Sequence, residues 1–161
     1  MKPKIAYLEI SPRQTGKTAR LVSFANQLKS EGRTVIFVTP LAKSLPFPTQ
    51  MPEIIVLSDG ESPPCGTDLS DAVWIYDEFD WLKSTQIRDG AYYATTAKRV
   101  RELGVDSPEN DLLLKLIELN GDRFERHFWF FGLSPDSWFT ESRAAYTAEQ
   151  FRAQILGEFL K

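Results

Sequence analysis

Residues 5 to 18 constrain the fold more than any other stretch of this chain. An apolar run, Ile5 to Ile10, leads without a linker into Ser11-Pro12-Arg13-Gln14-Thr15-Gly16-Lys17-Thr18. Behind that loop Leu21, Phe24, Ala25 and Leu28 recur at helical spacing until Gly32 supplies a stop signal. The next apolar run, Val35 to Thr39, completes a strand, helix, strand unit, whose crossover places two parallel strands in one sheet. Further runs rich in β-branched and aromatic residues follow at Ile54 to Leu57, Val73 to Tyr76 and Phe128 to Phe131. Most lack strict alternation, the pattern of strands buried on both faces. The expected fold class is therefore α/β, a mainly parallel central sheet flanked by helices in three layers.

The rest of the chain fills in this outline. Thr39 to Asp71 holds six of the ten prolines and reads as loop around a short Glu53 to Leu57 strand. Gly90 to Leu103 reads as helical. Ser107 with Pro108 predicts the start of a helix through Leu112, Leu113, Leu116, Ile117 and Leu119, ended by Gly121. Thr147 as N-cap, Gln150 three residues on, and Phe151, Ile155, Phe159 and Leu160 on one side predict a closing amphipathic helix. At 161 residues, without repeat or internal linker, one domain is expected across 1–161.

Composition narrows the function classes. A net charge of -3 gives no global field for nucleic acid or an anionic membrane, so any DNA contact must be local. Lys98, Arg99 and Arg101 are the densest basic cluster, read near a helix end, where such charges are usually a solvated face. No apolar run approaches the roughly 20 residues of a membrane span. The start of the chain does not resemble a signal peptide, and the cytoplasm, the host's if the chain is viral, is the expected compartment. Cys65 is the sole cysteine and reads as incidental.

The loop at 11 to 18 matches the Walker A pattern in spacing and in Gly16-Lys17-Thr18, with Ser11 where the first glycine usually stands. Gly16 lets the backbone approach phosphates, and successive amides with the helix dipole aim hydrogens at an anion. The expected cradle is Ser11, Pro12, Arg13, Gln14, Thr15, Gly16, Lys17, Thr18 and Ala19. Lys17 is expected to reach the β and γ phosphates of ATP, and the Thr18 hydroxyl to hold Mg²⁺, which prefers hard oxygen donors. A chance Gly-Lys-Thr at a helix start is the bland alternative, disfavoured by the flanking strand and helix.

Ala72-Val73-Trp74-Ile75-Tyr76-Asp77-Glu78 is an apolar strand ending in two carboxylates, the Walker B arrangement. Asp77 is the expected second Mg²⁺ group, and Glu78 the base that polarises an attacking water. Such a pair can also be plain solubilising charge. Arg126-His127-Phe128-Trp129-Phe130-Phe131-Gly132-Leu133-Ser134-Pro135 reads as another strand finishing in a small polar residue, making Ser134 a candidate γ-phosphate sensor beside its reading as a turn residue. His127 is expected at the strand end opposite the site, in a packing role. Arg13 is the candidate to stabilise γ-phosphate charge in cis, and Arg88, Arg99, Arg101, Arg126 and Arg143 are candidates to serve a neighbouring subunit. The tryptophans, Trp74, Trp81, Trp129 and Trp138, read as core or rim.

Ser-Pro-Arg-Gln-Thr-Gly-Lys-Thr, Ile-Tyr-Asp-Glu-Phe-Asp and Gly-Leu-Ser-Pro together resemble the ATPase domain of viral large terminase subunits, the DNA-packaging motors. The main helicase superfamilies share much of the pattern. The resemblance implies a RecA-like P-loop NTPase sheet, with Arg13, Lys17 and Thr18, then Asp77 and Glu78, then Ser134 in corresponding roles. With the loop at residue 11 and no nuclease domain following, a compact terminase-like ATPase is expected rather than a complete packaging terminase. The leading expectation is a Mg²⁺-dependent ATPase coupling hydrolysis to nucleic-acid movement or remodelling, as a homo-oligomer or beside a phage or viral partner. A nucleotide-dependent switch that recruits a protein, and a small-molecule kinase with the Pro-rich stretch as lid, remain alternatives.

Overall fold

The computed structural model describes residues 1–44, 47–128 and 135–161. Its sheet is built from β1 (Tyr7–Ile10), β2 (Val35–Val38), β3 (Ile55–Leu57), β4 (Val73–Asp77) and β5 (Tyr92–Thr95), all parallel, in the order β1-β5-β4-β2-β3. Helices are α1 (Lys17–Ser30), the short α2 (Phe47–Gln50), α3 (Leu112–Leu119), α4 (Pro135–Ala145) and the single turn α5 (Ala148–Gln150), which runs into a π-helical turn at Phe151–Ile155.

Both faces of the sheet are covered, as continuous apolar strands require. On one face Leu21, Ala25 and Leu28 of α1 share a buried cluster with Val35, Phe37, Val73, Ile75 and Ala94. On the other, Ile36, Val38, Tyr76 and Tyr93 are buried with Leu113 and Leu116 of α3. The strand period of two divides β2 neatly: odd residues face α1 and even residues face α3. This α/β architecture, with helices on both sides of a five-stranded parallel sheet, is compatible with three layers.

Gly90 to Leu103 is not helical. Its first half is β5, inserted between β1 and β4 with Tyr7 opposite Tyr92 and Ile75 opposite Tyr92 on the other side. Tyr92, Tyr93, Thr95 and Thr96 favour a strand, although the run neither alternates nor is continuously apolar. It is a strand because it completes the sheet, with Tyr93 stacked on Tyr76 at a ring separation of 5.3 Å. α3 starts later than Ser107-Pro108 suggested: Asp111 is the cap and accepts the Leu114 N–H at 3.0 Å, while the Ser107 carbonyl accepts the Asn110 and Asp111 amides in a preceding turn.

Thr147 and Gln150 form the expected capping box, but regular helix does not continue to Leu160. It ends in the π-helical turn, and Gly157 reverses the chain at φ 71, so Phe159 reaches the core from an irregular segment. Of the strand expected at Phe128 to Phe131, Phe128 is irregular and exposed, and the remainder lies outside the described residues. Just before it, Glu125 bridges Glu9 in parallel on the outer edge of β1.

Leu113 is fully buried where α3 meets the sheet. Leu113→Ala should lower unfolding free energy by about 2–5 kcal/mol in urea titration, through lost burial and a residual cavity. A loss under about 0.5 kcal/mol would place α3 off the core.

Candidate functional site

All strands run the same way, so their carboxyl ends gather on one rim, where open parallel sheets present ligand sites. Four of the five contribute. β1 ends into the Ser11–Thr18 loop, β2 into Thr39, β4 into Asp77 and Glu78, and β5 into Thr95 and Thr96.

The loop has the backbone for a concave anion cradle. Gln14 and Gly16 have φ of 59° and 85°, with no positive φ at Thr15 between them, an alternation that turns successive N–H groups to one side. α1 begins on Gly16, which has no side chain to cap the first-turn amides. Ser11 accepts the His127 N–H at 2.9 Å, so His127 lies beside the start of the loop and not at the far end of a strand. Inside the loop, the Pro12 carbonyl accepts from the Thr15 hydroxyl at 2.9 Å and from Lys17 Nζ at 3.0 Å.

The loop and the acids meet. The Thr18 hydroxyl donates to Asp77 Oδ1 at 3.0 Å, and Thr39 donates to Asp77 Oδ2 at 2.9 Å. Glu78, held in the left-handed region at φ 52, accepts the Thr96 N–H at 3.0 Å and stands 3.6 Å from Lys17 Nζ. Lys17, Thr18, Asp77 and Glu78 therefore stand together, and Arg13 lines the same cavity as Lys17 and Glu78. Ser134 lies outside the described residues.

Burial governs the protonation chemistry. Burial, followed by repulsion from Glu78, pushes the Asp77 carboxyl up to about 6 against the Thr39 and Thr18 hydrogen bonds and the Lys17 charge. Burial also lowers the Lys17 ammonium below the ordinary lysine value, while Glu78, Glu9 and Asp77 pull it back. Thr18 and Asp77 place two hard oxygens together, which suits Mg²⁺. Among the described residues no group of three or more His, Cys, Asp or Glu is placed to hold a metal, so this pair would need its other donors from ligand and water.

A cavity of about 410 Å³ opens beside the loop, lined on one side by Arg13, Gln14, Lys17, Glu78 and Thr96, and on the other by Leu41, Trp81 and Tyr146 among others. A larger one of about 540 Å³ lies at the outer edge of β1, around Tyr7, Asp122 and Arg123, away from this constellation. Thr96 Oγ1 is the one buried side-chain polar atom without a partner among the described residues, and Thr96 lines the cavity at the loop.

Several of these groups were not legible beforehand. Thr39, Thr95 and Thr96 carry no motif, and their signal is position alone: a hydroxyl residue at the end of a buried parallel strand. Glu9, fully buried within β1, is matched by Arg20 on α1 through two contacts of 2.8 and 2.7 Å. Burial alone would raise its carboxyl, but hydrogen bonds from Arg20, Tyr7 and Ser11 outweigh that and hold it below the usual range. The apparent basic cluster is not a helix-end patch. Arg101 is buried between Asp80 and Asp111, and Arg99 pairs with Asp106 and Asp111. Of the other arginines, Arg88 stacks on Trp74 at 3.8 Å, Arg126 donates to the Leu156 carbonyl, and Arg143 lies over Phe151.

Comparison with protein-family models, with curated proteins and with solved structures finds no match to this chain. No helix among the described residues is long and apolar enough to cross a membrane.

Asp77 titrates at about 6 in the folded chain against 3.8 otherwise, so its contribution to stability is full below 3.8 and is lost as the pH rises through 6. Asp77→Asn should flatten that part of the stability profile, by on the order of 3 kcal/mol, in urea titrations from about pH 4 to about pH 7. Parallel profiles for the two proteins would show that Asp77 is not the buried acid responsible.

Proposed function

We propose that the chain binds ATP with Mg²⁺ on the Ser11–Thr18 loop and hydrolyses it, as a compact RecA-like P-loop ATPase domain of the terminase-like kind. The observation that carries this reading is the Thr18 to Asp77 hydrogen bond, which joins the end of the loop motif to the end of the acidic strand across 59 positions of sequence. A chance Gly-Lys-Thr has no reason to end on a buried carboxylate.

In this reading the N–H groups around Gly16 and the first turn of α1 take the phosphate oxygens. Lys17 gives up the Pro12 carbonyl to counter their charge. Thr18 and Asp77 are the residues that would hold Mg²⁺, whose chemistry there is to offset charge on the phosphate oxygens. Glu78 accepts a proton from water as the water oxygen bonds to the γ phosphorus. The bond from that phosphorus to its bridging oxygen breaks, leaving ADP and inorganic phosphate. Thr96 lines the cavity and its buried Oγ1 has no partner among the described residues, so a turn of that side chain would offer a donor to that water or to a γ oxygen.

Coupling to nucleic acid, in an oligomer or beside a viral partner, is supported by the motif resemblance alone. Arg99 and Arg101 spend their charge on acids of their own chain. A small-molecule kinase is the second reading, favoured by Pro40 and Leu41, at the start of the Pro-rich stretch, standing in the wall of the same cavity where a lid would lie.

Phosphate release, measured with and without DNA and without any added acceptor, tests both readings. The wild type should release phosphate, Lys17→Ala should not bind ATP, and Glu78→Gln should retain ATP while losing at least about 100-fold in turnover. Turnover by Glu78→Gln at the wild-type rate would refute the water-activating role. Release only when an acceptor is supplied would favour the second reading. Thr96→Val, nearly isosteric, should fold as the wild type does and turn over more slowly at unchanged ATP affinity.

A further inference from the structure

A cavity of about 290 Å³ lies on the α3 side of the sheet, between β2 and β4 and the segments that follow β3 and β4. It shares no residue with the cavity at the loop. From the sheet it is lined by Val38, Trp74 and Tyr76. Trp74 stacks on Tyr76 with ring centres 6.1 Å apart, and Tyr76 on Tyr93 at 5.3 Å, so three rings run across two strands. Arg88 lies at the end of that ladder, its guanidinium carbon 3.8 Å from the centre of the Trp74 ring.

Neutral groups hold Arg88 in this place. Its Nε donates to the Tyr76 hydroxyl at 2.9 Å, its Nη2 to Gln86 Oε1 at 2.7 Å, and its main-chain N–H to the Tyr93 hydroxyl at 2.9 Å. Among the described residues no carboxylate stands within ion-pair distance of it, whereas Arg20, Arg99, Arg101 and Arg152 each have one. Its Nη1 makes no hydrogen bond among the described residues either, so the edge of the fork away from Nε keeps N–H groups for another acceptor. A guanidinium stacked on a ring and braced at two nitrogens is already ordered, and it gives up little freedom when an anion arrives.

The opposite wall selects the anion. Glu61 lines it, with Oε2 accepting the Ser58 N–H at 2.8 Å. Its charge balances that of Arg88 and opposes a second negative charge on a ligand, which disfavours phosphate and dicarboxylates. Pro63 and Leu69 make the same wall apolar, and Leu69 is 46% exposed. The geometry points to a binding site for a small monocarboxylic acid with an apolar body, its carboxylate on the Arg88 fork and its body against Pro63 and Leu69. The size agrees, at the small end of the roughly 300–1,000 Å³ typical of ligand pockets. This site stands whether or not the loop binds a nucleotide.

Phenylacetate is a suitable probe, with its amide and inorganic phosphate as controls. Titration of the full chain is followed by nitrogen-15 NMR at the Trp74 indole N–H and the Arg88 Nε–H. Phenylacetate should shift both signals saturably, and phenylacetamide should leave them in place. Arg88→Gln should weaken phenylacetate at least about tenfold, through loss of the charge-assisted pair. Glu61→Gln, which keeps an acceptor for the Ser58 N–H, should bind it more tightly, by about twofold or more. That variant and the amide decide the matter if Arg88→Gln does not fold. No saturable shift up to about 10 mM phenylacetate overturns the inference, as does an amide that binds as well as the acid or a folded Arg88→Gln with wild-type affinity. Tighter binding of phosphate than of phenylacetate overturns the assignment to monocarboxylates.

Discussion

Burying a carboxylate at the end of a central strand costs several kcal/mol unless charge or hydrogen bonds compensate it, and the rim of this sheet is organised around that demand at Asp77. Its partners come from elements far apart in sequence. Thr39 arrives because the β2 to β4 register sets Val38 opposite Tyr76, so the next residue of each strand is also adjacent. Thr18 arrives because the loop after β1 delivers α1 across the strand ends. With β5 between β1 and β4, the loop must span two inter-strand spacings, ~10 Å, to reach that carboxylate. The parallel sheet is thus the device that lets these groups share one rim.

The turn after Asp77 has its own brace. Glu78 is in a left-handed conformation that a non-glycine residue adopts only when its surroundings impose it. Two residues later, Asp80 accepts both terminal nitrogens of Arg101, at 2.8 and 2.6 Å, together with the Lys98 N–H. Arg101 also reaches Asp111, the cap of α3, and its backbone pairs with the chain end through Phe159 and Lys161. Loss of one partner from a buried ion pair typically costs 3–5 kcal/mol, so this network fixes the turn rather than merely decorating it. The same C-terminal segment holds the loop after β1 through Gln154, whose main-chain and side-chain oxygens accept from Arg13 at 2.8 and 3.1 Å. One segment therefore sets both the loop and the acid turn that face each other across the cavity.

What could be read beforehand divides along the range of the interactions. β1, α1, β2, β3 and β4 were legible because each carries a local pattern that agrees with its burial. The pairing of Thr18 with Asp77 was legible because two motifs implied it. β5 was legible in composition but not in pattern, since Ala91 to Thr96 holds strand-favouring Tyr and Thr yet neither alternates nor is continuously apolar, and Thr95 and Thr96 disappeared with it. Arg101 read as surface charge because nothing near it in sequence announces Asp80, 21 positions away. Gln154 was hidden by a capping box that correctly began a helix but could not say where its regular geometry would break. The place of His127 was not legible because an apolar run after Glu125 implies a strand starting far from the rim, whereas His127 already lies beside Ser11.

Glu9 explains a feature of the loop that its motif alone does not. It occupies the α1 side of β1, where a doubly buried strand should carry an apolar residue, and Arg20 reaches back from α1 to pair with it. That guanidinium then lies 3.0 Å from where a Cβ on Gly16 would stand. Glycine is therefore required there twice, by φ of 85° and by the ion pair filling the space beside it. The pair also bears on Lys17. Burial works to neutralise that ammonium, and Glu9 joins Glu78 and Asp77 in opposing it. On the proposed function, a bound polyphosphate would bring more negative charge to the same nitrogen and strengthen its charged form further.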